Sequence, residues 1–85
     1  MKPLNILDKN GKVIHSSKNL RGIRDHVSKH MVKVVSVGHL PDGKGKLCVL
    51  FVNGDSFECN FASYEVLVGF VRRWRNIRGA EILFQ

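Results

Sequence analysis

Four arginines, Arg72, Arg73, Arg75 and Arg78, lie close together near the end of the chain, around its single tryptophan, Trp74. A guanidinium presents a planar fork of donors that binds phosphate in bidentate fashion and stacks on bases. A second basic group, Lys18, Arg21, Arg24 and Lys29, recurs at near-helical spacing, with Asp25 as the only acid among them. Brought onto one surface, the two groups would bind several phosphates and give a steep dependence on salt. The arginines of 72–78 do not share one helical stripe. With Leu67 taken as the core direction, Arg75 falls to one flank, Arg72 further out and Arg73 on the opposite flank. Arg78 falls in the unwinding end. Such an array grips a backbone from several sides rather than reading base edges. The competing account is a solvated helix end that answers its own dipole.

Other chemistry is sparse. His26 and His30 are four apart, a metal spacing on a helix, but no glutamate follows in the His-Glu-x-x-His manner, so no metal is assigned. Cys48 and Cys59 are too few for a disulfide framework. They fall in strand-like runs and read as buried free thiols. Counting out from the Asn53-Gly54 turn places one near the other, as a cross-strand thiol pair. His15 and His39 are isolated in the sequence and suggest no chemistry. No serine, cysteine or lysine sits beside a base with an orienting acid. Gly43-Lys44-Gly45 lacks the spacing of a phosphate-binding loop. The expectation is a protein that is not an enzyme and needs no cofactor.

A chain of 85 residues makes one domain, 1–85. Its 14 basic and 7 acidic residues leave a formal charge of +7, which favours nucleic acid first and acidic protein surfaces second. Met1-Lys2-Pro3 opens onto a turn-forming segment with no apolar signal region. No apolar run approaches the ~20 residues that span a membrane. The chain is therefore expected in the cytoplasm, reduced, with no membrane partner.

The elements that must position these residues follow from periodicity. Residues 4–8 and 12–16 read as strands around the Lys9-Asn10-Gly11 turn. In 18–30, Leu20, Ile23, Val27 and Met31 recur at helical spacing. Residues 32–40, 46–52 and 55–61 read as strands. Leu47, Val49 and Phe51 share one face, as do Phe57, Cys59 and Phe61. Residues 63–79 read as one amphipathic helix: Ser63 is the N-cap, Leu67, Phe70, Val71 and Trp74 form the buried stripe, and Gly79 is the stop. Residues 80–85 close as a strand, with Leu50, Val52 and Leu83 left on the second sheet face. The order is ββαβ-ββαβ, a pseudo-repeat with halves at 1–40 and 44–85. The fold class is α+β, a mainly antiparallel sheet of about six strands with two helices on one face.

Two stretches, Lys18-Asn19-Leu20-Arg21-Gly22-Ile23 and Phe61-Ala62-Ser63-Tyr64-Glu65-Val66-Leu67, resemble segments of small uncharacterised proteins carried by bacteriophages and prophages. The resemblance implies an accessory phage gene and brings no activity or site residues with it. Small basic proteins of this kind act by binding, so the reading is a module that contacts nucleic-acid phosphates through the eight basic residues. The alternative is a protein-interaction module or homodimer, such as a phage-encoded modulator of a host protein complex.

Overall fold

A computed structural model describes residues 4–18, 26, 29–74, 77 and 79–84. Six strands form one sheet: β1 (Leu4–Leu7), β2 (Val13–Ser17), β3 (Val32–His39), β4 (Gly45–Phe51), β5 (Ser56–Phe61) and β6 (Glu81–Phe84). Their order across the sheet is β2-β1-β5-β4-β3-β6. Every neighbouring pair is antiparallel except β3 and β6, which are parallel. One described helix, α1 (Tyr64–Arg73), joins β5 to β6. The class is α+β, with a mixed six-stranded sheet.

Three hairpins repeat one turn. In the first, the Asp8 N–H donates to the Lys12 carbonyl (2.8 Å) and the Gly11 N–H to the Asp8 carbonyl (2.9 Å). The same pair of bonds recurs from Leu40 and Gly43, and from Phe51 and Gly54. Each turn needs a left-handed residue at its fourth position, and glycine supplies it without a Cβ clash: φ is +82° at Gly11, +86° at Gly43 and +96° at Gly54. The residue before each glycine is Asn10, Asp42 or Asn53. The Asp8 carboxylate accepts from the N–H groups of Asn10 and Lys12, so its turn also closes on a side chain.

The core lies between the sheet and α1. Ile6, Val35, Val37, Leu47, Val49, Phe51 and Phe57 are fully or almost fully buried on the sheet face that α1 covers, and Leu67 and Val71 meet them from the helix. The start of α1 is pinned three ways. The Ser63 hydroxyl accepts from the Val66 N–H (3.2 Å), a cap that contributes about 1 kcal/mol. The Tyr64 N–H donates to the Gly43 carbonyl (3.0 Å). Gly45 lets the helix lie directly on β4, because a Cβ there would stand 2.8 Å from Leu67 Cδ2.

The helix is shorter than the sequence pattern predicts. It ends at Arg73, where Trp74 turns to φ −82°, ψ 100° and its N–H bonds the Val71 carbonyl. The apolar periodicity runs on through Trp74, yet Ile77 reaches the core after the chain has left the helix. Gly79 is therefore not the helix stop. With φ +83° it shapes the turn into β6, where the Ala80 N–H bonds the Ile77 carbonyl (3.0 Å).

Most of the helix predicted at 18–30 lies outside the described residues. Of its members, His26 and Lys29 have helical backbone, and the His30 N–H bonds the His26 carbonyl (3.1 Å). The pseudo-repeat does not carry through the sheet. Hairpins β1-β2 and β4-β5 stand side by side in the same sense, but three strands separate β2 from β3 and two separate β5 from β6. The last strand takes the edge that β3 leaves open, so the two halves are not related by one displacement.

Candidate nucleic-acid interface

Helix α1 lies with Leu67 and Val71 against the sheet, which leaves Glu65, Val66, Arg72 and Arg73 exposed. Arg72 and Arg73 occupy its last turn, where the helix dipole favours cations. Neither forms an ion pair among the described residues, whose three ion pairs are His26–Asp55, Lys44–Asp42 and Lys46–Glu58. Lys18 and Lys29 are exposed as well. Arg75, Arg78, Arg21 and Arg24 lie outside the described residues, and so does the joining of the two basic groups into one surface.

Trp74 packs on the core side. Its ring lies 5.3 Å from that of Phe70, which in turn is 5.4 Å from Phe61, so these rings form a chain along the flank of the helix. The stripe predicted from Leu67, Phe70, Val71 and Trp74 therefore faces inward, and Trp74 is a packing residue.

Gly69 lies one turn before Arg72 and Arg73. A Cβ there would meet nothing closer than Arg73 Nη2, at 3.9 Å. Replacing Gly69 with alanine is expected to stabilise the chain by about 0.5–1 kcal/mol, because a helical glycine gives up more chain entropy for no packing return. A thermal melt reads this as a rise of several degrees; an unchanged or lowered midpoint would show that the position is not an open helical one.

The face of the sheet opposite α1 carries Val34, Ser36, Cys48, Leu50, Ser56 and Glu58, which line a shallow groove of about 230 Å³. Leu50 and Leu83 are each 39% exposed, and Val52 is 61% exposed, as expected for the second face. Edge strand β6 adds Ile82 and Phe84, both exposed although they pair with the buried Val35 and Val37.

The cysteines do not form the thiol pair that counting from the turn suggests. Cys48 stands opposite Glu58, and Cys59 opposite Leu47. Residues directly opposite share a face and neighbours alternate, so Cys48 is on the open face and Cys59 on the core side. Cys48 Sγ lies 3.7 Å from Glu58 Oε1, whose other oxygen is 3.5 Å from Lys46 Nζ. Burial pushes the Cys59 thiol up to about 12, with the nearby Cys48 adding to the shift, which keeps it protonated at neutral pH. Burial first and Glu58 second also raise Cys48.

One cluster was not legible in the sequence. His26 and His30 stand over Phe51, and Asp55 and Asn53 of the β4–β5 turn meet them there. The i, i+4 histidines are visible as a spacing, but nothing in the chain announces that Asp55, twenty-nine positions after His26, is their neighbour. No group of three or more metal-ligating side chains is arranged to hold an ion among the described residues. His39, at the opposite end of β4, stacks on Tyr64 with ring centroids 4.6 Å apart. No described helix is long and apolar enough to cross a membrane.

Comparison with protein-family models, with curated proteins and with solved structures finds no match to this chain.

Proposed function

We propose that this protein is a small binding module, not an enzyme, that contacts the phosphate backbone of a nucleic acid through the basic end of α1. The observation that carries the reading is the pair Arg72 and Arg73, exposed side by side on a rigid helix without an acidic partner among the described residues. The charge of +7 supports it, since a basic surface draws a polyanion from a distance. Arg75, Arg78, Arg21, Arg24, Lys18 and Lys29 are assigned to the same surface from the sequence. The binding is sequence-independent, because a ten-residue helix ending in arginines offers donors to phosphate but no ordered row of base-reading side chains. Such a role suits an accessory phage or prophage protein acting in the cytoplasm.

Fluorescence anisotropy with labelled duplex DNA, single-stranded DNA and RNA, each over a range of salt, tests this. Micromolar or tighter binding that falls steeply with salt is the expected result. Absence of binding at low salt removes the reading.

A second reading rests on the open sheet face and the apolar edge strand β6. Leu50, Leu83 and Phe84 would there meet a host protein or a second copy of the chain. Light scattering over a concentration series decides the homodimer version: a mass that stays monomeric eliminates it.

A further inference from the structure

Strand register gathers scattered lysines at one end of the sheet. Leu7 pairs with Ser56, so the β1–β2 turn lies beside the β4–β5 turn. The two turns touch: a Cβ on Gly54 would stand 3.0 Å from Lys9 Cβ. Val32 pairs with Phe51, and the Val52 N–H donates to the Met31 carbonyl (2.9 Å), so β3 starts at this same end. Helix α1 starts at the other end, where Phe61 pairs with Gly45 and the Tyr64 N–H meets the Gly43 carbonyl. Its ten residues, about 15 Å, cover most of the length of the sheet. β6 then begins with Glu81 opposite Val34, near the start of β3. The last turn of α1, with Arg72 and Arg73, therefore lies toward the end that carries Lys9, Lys12 and Lys33.

We propose that this end of the sheet is a second contact for the nucleic-acid backbone, where Lys9, Lys12 and Lys33 bind phosphates beside those taken by Arg72 and Arg73; it rests on the phosphate-binding reading above.

The three lysines are exposed, and none forms an ion pair among the described residues. Each is presented by constrained backbone. Lys9 rests its stem against Gly54. Lys12 closes a turn in which its N–H donates to the Asp8 carboxylate. Lys33 occupies the irregularity between Val32 and Val34 in β3, where a bulge re-aims a side chain. Of the described acids at this end, Asp55 is buried and Asp8 is bonded within its own turn, so only Glu81, on edge strand β6, is exposed. The opposite end differs: Lys44 and Lys46 are each held by a carboxylate, Asp42 and Glu58. A cation without a partner releases counterions from a polyanion, whereas a paired one must first give up its carboxylate. Strands β1 and β3 are three spacings apart, about 14 Å. A duplex carries one phosphate charge per about 1.7 Å of axis, so one laid across this end meets Lys9 and Lys33 together. Twenty-four positions separate those two lysines in the chain, which is why the sequence shows no cluster there.

The test compares two double variants of equal charge by anisotropy over a range of salt: Lys9→Gln with Lys12→Gln, and Lys44→Gln with Lys46→Gln. The first is expected to weaken binding about tenfold at 0.1 M salt and to flatten the salt slope by about 1.8 on duplex DNA. The second should change both far less. Adding Lys33→Gln to the first should lower affinity and slope again. Amide shifts of the wild-type chain on adding a short duplex give a readout free of any substitution, and they decide if a variant does not fold. The amides of Lys9, Lys12, Lys33 and Gly54 should move, and those of Gly43 and Lys44 should stay. Equal affinities and slopes for the two double variants, or unmoved amides at Lys9, Lys12 and Lys33, overturn the proposal. A loss of binding in Arg72→Gln, Arg73→Gln with none in the Lys9 and Lys12 variant removes this contact and leaves the α1 interface standing. A wild-type chain that binds nothing at low salt removes both.

Discussion

Replacing Arg72, Arg73 and Arg75 together with glutamine is expected to weaken nucleic-acid binding about a hundredfold at 0.1 M salt and to do so equally for unrelated sequences. Each phosphate that is no longer neutralised should flatten the slope of log affinity against log salt by about 0.9 on duplex DNA, or about 0.7 on a single strand. Three phosphates amount to about 2.7 or 2.1 by the same rule, well outside the error of an anisotropy series. At Arg72 and Arg73 the substitutions leave the core alone, because both are exposed and the inward positions are Leu67 and Val71. The paired change Arg72→Gln, Arg73→Gln isolates the two helical arginines and should account for about two thirds of the change in slope. Lysine at the same three positions separates charge from geometry. It keeps the slope but loses the bidentate fork, so affinity should drop while salt dependence stays. An unchanged affinity and slope in the glutamine triple variant would remove the arginines from the interface.

Gly45→Ala is the substitution expected to cost the fold most for its size. The added Cβ would meet Leu67 Cδ2 at 2.8 Å, Leu67 Cβ at 3.0 Å and Tyr64 Cα at 3.2 Å. Neither neighbour gives way easily: Leu67 is fully buried, and Tyr64 Cα is backbone whose N–H is tied to the Gly43 carbonyl. The helix cannot slide away without loosening that bond and the adjoining Ser63 cap. Overpacking of this kind costs about 2–3 kcal/mol. In a domain of this length that is a fall of about 10–20 °C in Tm. Gly38→Ala is the control. There a Cβ meets the Lys46 carbonyl at 3.5 Å, an ordinary van der Waals distance, and the melt should hardly move. Equal melts for the two variants would mean that α1 does not sit directly on β4.

The contrast between what the chain discloses and what it hides follows a physical line. Local rules place the strands within one or two residues, because alternation and glycine turns are properties of neighbours. Residues 32–40 were expected as a strand and β3 is Val32–His39; residues 55–61 were expected and β5 is Ser56–Phe61. Ser63 caps the helix as its hydroxyl and the following pattern foretell. The errors come where a local pattern fits two outcomes. Trp74 and Ile77 continue the apolar spacing of α1, so periodicity extends the helix, whereas the chain breaks at Trp74 and still buries Ile77. Cys48 and Cys59 are close along the hairpin, but an offset of one residue sends a side chain to the other face. Relations set only by the assembled sheet, such as the parallel pairing of β3 with β6 or His26 beside Asp55, have no local signature at all. For the interface, the chain shows which residue types are abundant, and the structure adds that Arg72 and Arg73 point outward with no ion pair among the described residues.

The ladder joining β1 to β5 runs over two residue pairs, Ile6 with Phe57 and Leu7 with Ser56, whereas β4 and β5 pair over six. The first hairpin is thus stitched to the remaining four strands by a narrow seam. Proteins open in cooperative pieces, and a piece with few bonds to its surroundings opens at less than the global free energy. The β1–β2 hairpin is the natural piece here. Its amides should exchange with solvent through a sub-global event, visible in native-state hydrogen exchange as protection below that of Val35 and Val49. Uniform protection across all six strands would show instead that the buried Ile6 and Leu4 weld the seam as firmly as the longer ladders do.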